Sequence, residues 1–522
     1  MTTRPTVRAA NGLVASGHHL ATSAGLAALR EGGNAADAAV AAAAVCAVVM
    51  PHRTSIGGDM FALMYDARSR EVTAYNGSGA APGTLDLESV GAAFPSQGAA
   101  IATVPGLLAG LADLAADHGR LGLDRALGPA IGYASDGFPV SAVLAEAIAE
   151  DADRIARDEE AARVLIPRGR WPSAGELLQQ PDLAATLEVI ARDGVDAFYR
   201  GDLGERFATA VASIGGAIDR ADLAAHRTDR PEPLAIDYRG LRIFGQPPVS
   251  QGHILLEELA IAEGLDIRSA EWGSADLIHL MVETKKLAFA DRDAHAGDPT
   301  QVEFDARRLL DAEFVASRRR AVNARASERS EAGALMTPAD TTYLAVVDRD
   351  GNAVSLIESV FSAFGAAAIV PGTGILLNNR LTGFSLDPRS PNALAPGKRP
   401  VHTLNTVITL EGSVPRFVFG TPGRHAQVQT NFQLAVALID FEMDVQQAIE
   451  EPRWYHEAGR TLKMERRYPE AVRRAVAAKG HEVTVLGEWD EITGGAQAIA
   501  IEPNGSFAGG ADPRREGQAA GY

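Results

Sequence analysis

The chain has 522 residues, 46% of them hydrophobic and only 6% aromatic, with one cysteine and a formal net charge of −18. That length exceeds what one simple core holds, so two domains or one large layered α/β unit is expected, with disorder confined to linkers. Acidic residues spread along the chain argue against a nucleic-acid partner, and a lone cysteine excludes an intramolecular disulfide.

Residues 1–12 carry Arg4 and Arg8 but no apolar run after them. No export signal is visible, and a cytoplasmic location is expected. The most apolar stretch is 38–50. As a helix it would be about 20 Å long, short of the roughly 30 Å of a bilayer core, so it reads as a buried helix and no membrane partner is expected. Asn34 stands as its N-cap with Asp37 in the first turn, Gly32 and Gly33 form the entry, and Pro51 ends it. Cys46 has only apolar neighbours and reads as a buried structural thiol. His18 and His19 have no partners at ligand spacing and read as loop or core residues.

Residues 60–65 and 72–75 are strand-like around a turn at 66–70. From 105 to about 262 the pattern is mostly helical, interrupted by a strand pair at 236–244, and another helix spans about 275–291. Asp291, Asp293 and His295 alternate on that helix, a spacing that spreads side chains around it, so they are not read as metal ligands. Gly372 and Gly374 lack the third glycine and the helix of a dinucleotide site. Residues 318–340 change character: three arginines are followed by small and polar residues, which marks a linker.

The clearest β pattern follows it. Residues 341–347 and 353–360 flank Asp348-Arg349-Asp350-Gly351-Asn352 and read as a hairpin. If Val347 faces Asn352, Thr341 faces Glu358, and a one-residue bulge moves its partner to Ser359; either register leaves a hydroxyl beside Thr341. On pattern alone a Thr-Thr pair opening a strand is usually structural. Its chemistry is nonetheless specific. A threonine freed at its N-terminus carries its own α-amine, with a pKa near 7.7–8.0, as the base for its hydroxyl. The same hydroxyl could first attack the carbonyl of Asp340 and release the two halves.

From Gly12 to about His456 the sequence resembles the γ-glutamyltransferase family of N-terminal nucleophile hydrolases. The matching segments come in the family's order: Gly32-Gly33-Asn34-Ala35-Ala36-Asp37, Pro51-His52 with Ile56-Gly57-Gly58, Val104-Pro105-Gly106, Gly137-Phe138-Pro139, and Lys286 through Asp293. The decisive one is Asp340-Thr341-Thr342 with Asp350-Gly351-Asn352-Ala353-Val354-Ser355. Pro371-Gly372-Thr373-Gly374, Pro396-Gly397-Lys398-Arg399-Pro400 and Gly420-Thr421-Pro422-Gly423 follow.

The resemblance implies an α+β fold, a four-layer αββα sandwich. It also implies a precursor that cuts itself into a large subunit, 1–340, and a small subunit, 341–522, with a homo-oligomer of that heterodimer allowed. Thr341 falls at the nucleophile position and Ser359 at that of the second hydroxyl that orients it. Gly423 and Arg424 stand where two glycines supply oxyanion N–H groups. No cofactor or metal is implied.

The departures bear on substrate. Ser78 stands near the place of the arginine that holds a γ-glutamyl carboxylate, and His402 and Thr403 replace a serine pair. Phe361, Arg380 and Gly383 replace the asparagine, glutamine and aspartate that grip the α-amino group. Arg380, His402 and Arg424 would then favour a carboxylate without an amine beside it. A small carboxylate-bearing amide, as in the oxamate amidohydrolase branch, is the expected substrate. The alternatives are a γ-glutamyl hydrolase or transferase and a catalytically silent binding protein of the same fold.

Overall fold

The computed structural model describes residues 2–328 and 339–522, with the side chains of Leu87, Ser89, Ala339 and Asp340 left out. Two antiparallel sheets form its centre. The six-stranded sheet runs, edge to edge, Gln518–Gly521, Gly12–Ser16, Ala339–Asp348, Ala353–Ser362, Asp59–Asp66 and Glu71–Gly77. The seven-stranded sheet runs Val7–Ala9, Phe507–Ala511, Gln497–Ile501, Val414–Gly420, Val407–Glu411, Leu241–Gly245 and Leu234–Tyr238.

Alternation along the strands builds the layers. Tyr343, Ala345, Val347 and Ile357 meet Ile408, Val418 and Ile499 between the sheets. The intervening residues Leu344, Val346, Val354 and Leu356 face outward into a core shared with helix Ala35–Val49. On the far side, helices Gly252–Glu263, Ala275–His295 and Ala426–Ala435 cover the seven-stranded sheet. The result is an αββα sandwich, as expected.

Helix Ala35–Val49 is buried at every residue, which explains a sequence apolar all round. Asn34 and Asp37 make a reciprocal capping box at its start. The Asp348 carboxylate accepts a further N–H there, from Ala35, at 2.8 Å. It also accepts from the backbone of Asp350 and Asn352 in the hairpin turn, so one side chain ties the turn to the helix. His18 is the N-cap of helix His19–Arg30, its Nδ1 accepting from Leu20 N.

Two expectations are corrected. Val347 pairs with Ala353, not Asn352, because Asp348 and Asn352 close the turn opposite each other. Arg318, Arg319 and Arg320 belong to helix Ala312–Arg320 rather than to a linker. Arg318 is held there by Asp291, and Arg319 donates to the carbonyls of Ala260 and Ile261. Residues 329–338 of the expected linker lie outside the described residues. The expected subunit boundary at 340 falls within a strand, and chain from both sides of it contributes to both sheets.

Close packing near the hairpin rests on glycine. A Cβ on Gly79 would lie 1.6 Å from the carbonyl oxygen of Val104, a backbone atom with nowhere to move, while the Gly79 N–H donates to buried Asp59. Gly79→Ala is therefore expected to destabilise the fold by about 3 kcal/mol or more, read from denaturant unfolding; a loss below 1 kcal/mol would contradict this packing.

Candidate active site

The strand Ala339–Asp348 spans the Asp340–Thr341 peptide. The ladder with Ala353–Ser362 is regular from Val347 to Thr342, which pairs with Glu358, and shifts by one residue before Asp340, which pairs with Phe361. Thr341 sits opposite that bulge. Its Oγ donates to Ser359 Oγ at 3.2 Å, and Ser359 Oγ also accepts from the Phe361 N–H at 2.8 Å. Phe361 adopts φ of 83°, which the bulge imposes and which aims its N–H back at Ser359. Thr341 is 2% exposed and Ser359 fully buried. The structure thus brings together the two hydroxyls singled out in the sequence, though with the bulge one step from the expected register.

A cavity of about 750 Å³ opens at this end of the hairpin. Arg292, Thr403, Arg424 and His425 line it together with Phe94, Phe361, Phe384 and Leu386. Arg292 is clamped by Asp293 and donates to Nδ1 of His425 at 3.1 Å. Burial first, then Arg292, Lys285 and Arg424, push the His425 imidazole well below its usual range, so it is neutral. Thr403 Oγ accepts from Gln427.

Gly423 and Arg424 lie in the turn before helix Ala426–Ala435, whose N-terminal end favours negative charge. Their φ values are 127° and 54°. Arg424 therefore holds a backbone conformation suited to glycine, at a cost of about 1 kcal/mol.

Arg380 and His402 are placed differently from the other expected residues. Arg380 is fully buried, its Nε bonded to Asp59 at 3.0 Å and its guanidinium 4.6 Å from the centre of the Phe361 ring. Burial pushes its pKa down and that of Asp59 up, and each opposes the other's shift. Its charge supports Phe361 from behind rather than facing the cavity. His402 is packed edge-on against Phe61, with burial, then Arg380 and Arg399, lowering its pKa, so it presents no positive charge. Ser78 is buried and its hydroxyl donates to Asn76.

Sequence reasoning missed Arg292 and His425. Arg292 lay inside the matched helical run and was overshadowed by Asp291, Asp293 and His295. Only the first two of those take part here or nearby: Asp293 clamps Arg292, Asp291 binds Arg318, and His295 stacks on Phe304.

Among the described residues, His279, Glu283 and His481 have donor atoms within 4.8 Å of one another, near enough to suggest a cation site. The group is closed by protein partners instead. His279 Nδ1 and His481 Nε2 lie 2.9 Å apart, His279 Nε2 is 2.8 Å from Asn323 O, and Glu283 is neutralised by Lys286 at 2.8 Å.

Comparison with known proteins agrees with the geometry. Residues 21–522 match the family model described as gamma-glutamyltranspeptidase. The chain is 39% identical to the glutathione hydrolase-like YwrD proenzyme of Bacillus subtilis and 38% identical to the oxamate amidohydrolase proenzyme of Klebsiella pneumoniae, each over 98% of both chains. The crystal structure of cephalosporin acylase from Bacillus halodurans superposes with a TM-score of 0.94 at 36% identity, covering 100% of this chain and 98% of that one. No helix of the described residues is long and apolar enough to cross a membrane. The protein belongs to the γ-glutamyltranspeptidase family of N-terminal nucleophile amide hydrolases.

Proposed function

We propose that the chain cuts itself between Asp340 and Thr341, and that the mature enzyme hydrolyses amides bearing a carboxylate on the acyl side through an ester on Thr341. The observation that carries this is the Thr341 hydroxyl, set 3.2 Å from Ser359 at the bulged end of the hairpin, where Phe361 lines a cavity together with Arg292 and Arg424.

In the uncut chain, Thr341 Oγ attacks the Asp340 carbonyl carbon. The C–N bond breaks, the proton passes to the departing nitrogen, and water then hydrolyses the ester to give residues 1–340 and 341–522. That the curated relatives are named proenzymes supports this step. In turnover the freed α-amine takes the Oγ proton, Oγ attacks the substrate carbonyl, and the N–H groups of Gly423 and Arg424 receive the oxyanion. The α-ammonium returns its proton to the leaving amine, and water releases the acid.

The cavity shapes the substrate. Its volume far exceeds an oxamate-sized group, so we assign the carboxylate to Arg292 and Arg424 and the remainder of the substrate to the aromatic side chains of the lining. Asp293, the carboxylate that lines the cavity, is committed to Arg292, which disfavours the ammonium of a γ-glutamyl head group.

A panel of oxamyl, glutaryl and γ-glutamyl amides of one aromatic amine tests this reading. The glutaryl amide is expected to exceed the γ-glutamyl amide at least about tenfold in kcat/KM, since an ammonium without its own partner costs on the order of 1.4 kcal/mol or more. A preference for the γ-glutamyl amide, or faster turnover when a dipeptide acceptor is added, would overturn the assignment as a hydrolase of amine-free acyl groups.

A further inference from the structure

Glu358 immediately precedes Ser359, yet its side chain leaves on the opposite face of the sheet from the two hydroxyls, toward helix Ala35–Val49. It pairs across the ladder with Thr342 on one side and Met60 on the other. It has no solvent exposure, and neither carboxyl oxygen has a hydrogen-bond partner among the described protein groups.

The elements packed around it supply no counter-charge. Cys46, facing it from the helix, keeps its thiol proton because of burial. His18, at the N-cap of helix His19–Arg30, and His52, just after helix Ala35–Val49, are pushed far below the usual imidazole range, chiefly by burial. Arg53 is bonded to His52 and Glu491. Burial alone raises the Glu358 carboxyl well above the ordinary carboxylate range. A buried, unbonded polar group this close to a reacting peptide requires a reason, since burying a carboxylate here costs far more than burying the acid.

We propose that Glu358 works as an uncharged carboxylic acid behind the nucleophile, a positioning residue whose neutrality keeps the Thr341 amine a free base. Strand geometry supports this. Paired residues lie about 5 Å apart and each step along a strand adds about 3.3 Å, so the Glu358 and Thr341 backbones are within roughly 6 Å. A negative charge on that side chain, a few ångström farther off through a desolvated interior, would favour the ammonium form of the new α-amine, shifting its titration upward by on the order of one pH unit. It would also repel the oxyanion that forms on the Asp340 carbonyl during self-cleavage. The acid form does neither, and leaves the amine near its ordinary range.

This inference rests on the threonyl mechanism proposed above, and the test separates the two. Infrared difference spectra of wild type against Glu358→Gln at pH 7 should show the carbonyl stretch of a protonated carboxylic acid in the wild type only. A carboxylate signal in its place overturns the proposal whatever the nucleophile proves to be. In the cleaved enzymes, the acid limb of kcat/KM should fall at the same pH within about 0.3 unit. A midpoint lower by about one unit in Glu358→Gln would show that an ionised Glu358 had been holding the amine protonated, and equally overturns it. If Glu358→Gln does not accumulate as folded protein, Glu358→Met provides the comparison. The acid band should be present in the wild type and missing from that variant, and a wild type without the band counts against the proposal. Failure of the threonyl mechanism would appear instead as self-cleavage in Thr341→Ala.

Discussion

Thr341→Ala is expected to remain a single 54.8 kDa chain on a denaturing gel and to lose amide hydrolysis by on the order of 10³-fold or more. The substitution removes only the hydroxyl and one methyl. It leaves the strand Ala339–Asp348 with its ladder from Thr342 to Val347, so the fold should lose no more than about 1 kcal/mol, checked by thermal unfolding. Ser359 would lose the Thr341 hydroxyl and keep the Phe361 N–H. Thr341→Ser should still cut itself, because the hydroxyl and, after cleavage, the α-amine are both retained. Two fragments from the alanine variant would remove Thr341 from both reactions at once. An uncut Thr341→Ala together with a wild type that is also uncut and inactive would favour the catalytically silent reading.

Arg424→Gly should separate stability from selectivity. With φ of 54°, Arg424 holds a conformation that costs a non-glycine residue about 1–2 kcal/mol, partly offset in the variant by the greater freedom of glycine in the unfolded chain. Stability is expected to stay level or rise by up to about 1 kcal/mol. Arg424, however, lines the cavity. Losing a charge-assisted hydrogen bond to the substrate carboxylate, about 1.5–3 kcal/mol, should cut kcat/KM for the glutaryl amide by roughly 10- to 100-fold, while an uncharged acyl amide of similar size changes little. An equal fall for both substrates would assign Arg424 a role through its backbone alone. No fall for either would move carboxylate recognition to Arg292.

The elements around the hairpin were legible because each has a local cause. Asn34 and Asp37 announce the buried helix, alternation announces the strands at 341–347 and 353–360, and Gly351 announces the turn between them. Register was not legible to the residue, because it depends on which pair closes the turn. The sequence leaves Asp348 and Asn352 equivalent to their neighbours until the bonds from Ala35, Asp350 and Asn352 to one carboxylate single out Asp348. The arginines at 318–320 looked like a linker because a helix that spends its charges on Asp291 and on the carbonyls of Ala260 and Ile261 shows no apolar stripe of its own.

The sequence by itself determined that Thr341 and Ser359 meet, since hydroxyls eighteen residues apart on this hairpin come together whichever register is taken. Which charged residues line the cavity was decided only in three dimensions. Arg380 and Arg424 are the same side chain chemically, yet one is buried against Asp59 and Phe361 and the other lines the cavity, with Arg292 arriving from a helix more than a hundred residues away in the chain. A charge acts where its packing leaves it, and packing is set by neighbours that no local stretch of sequence contains.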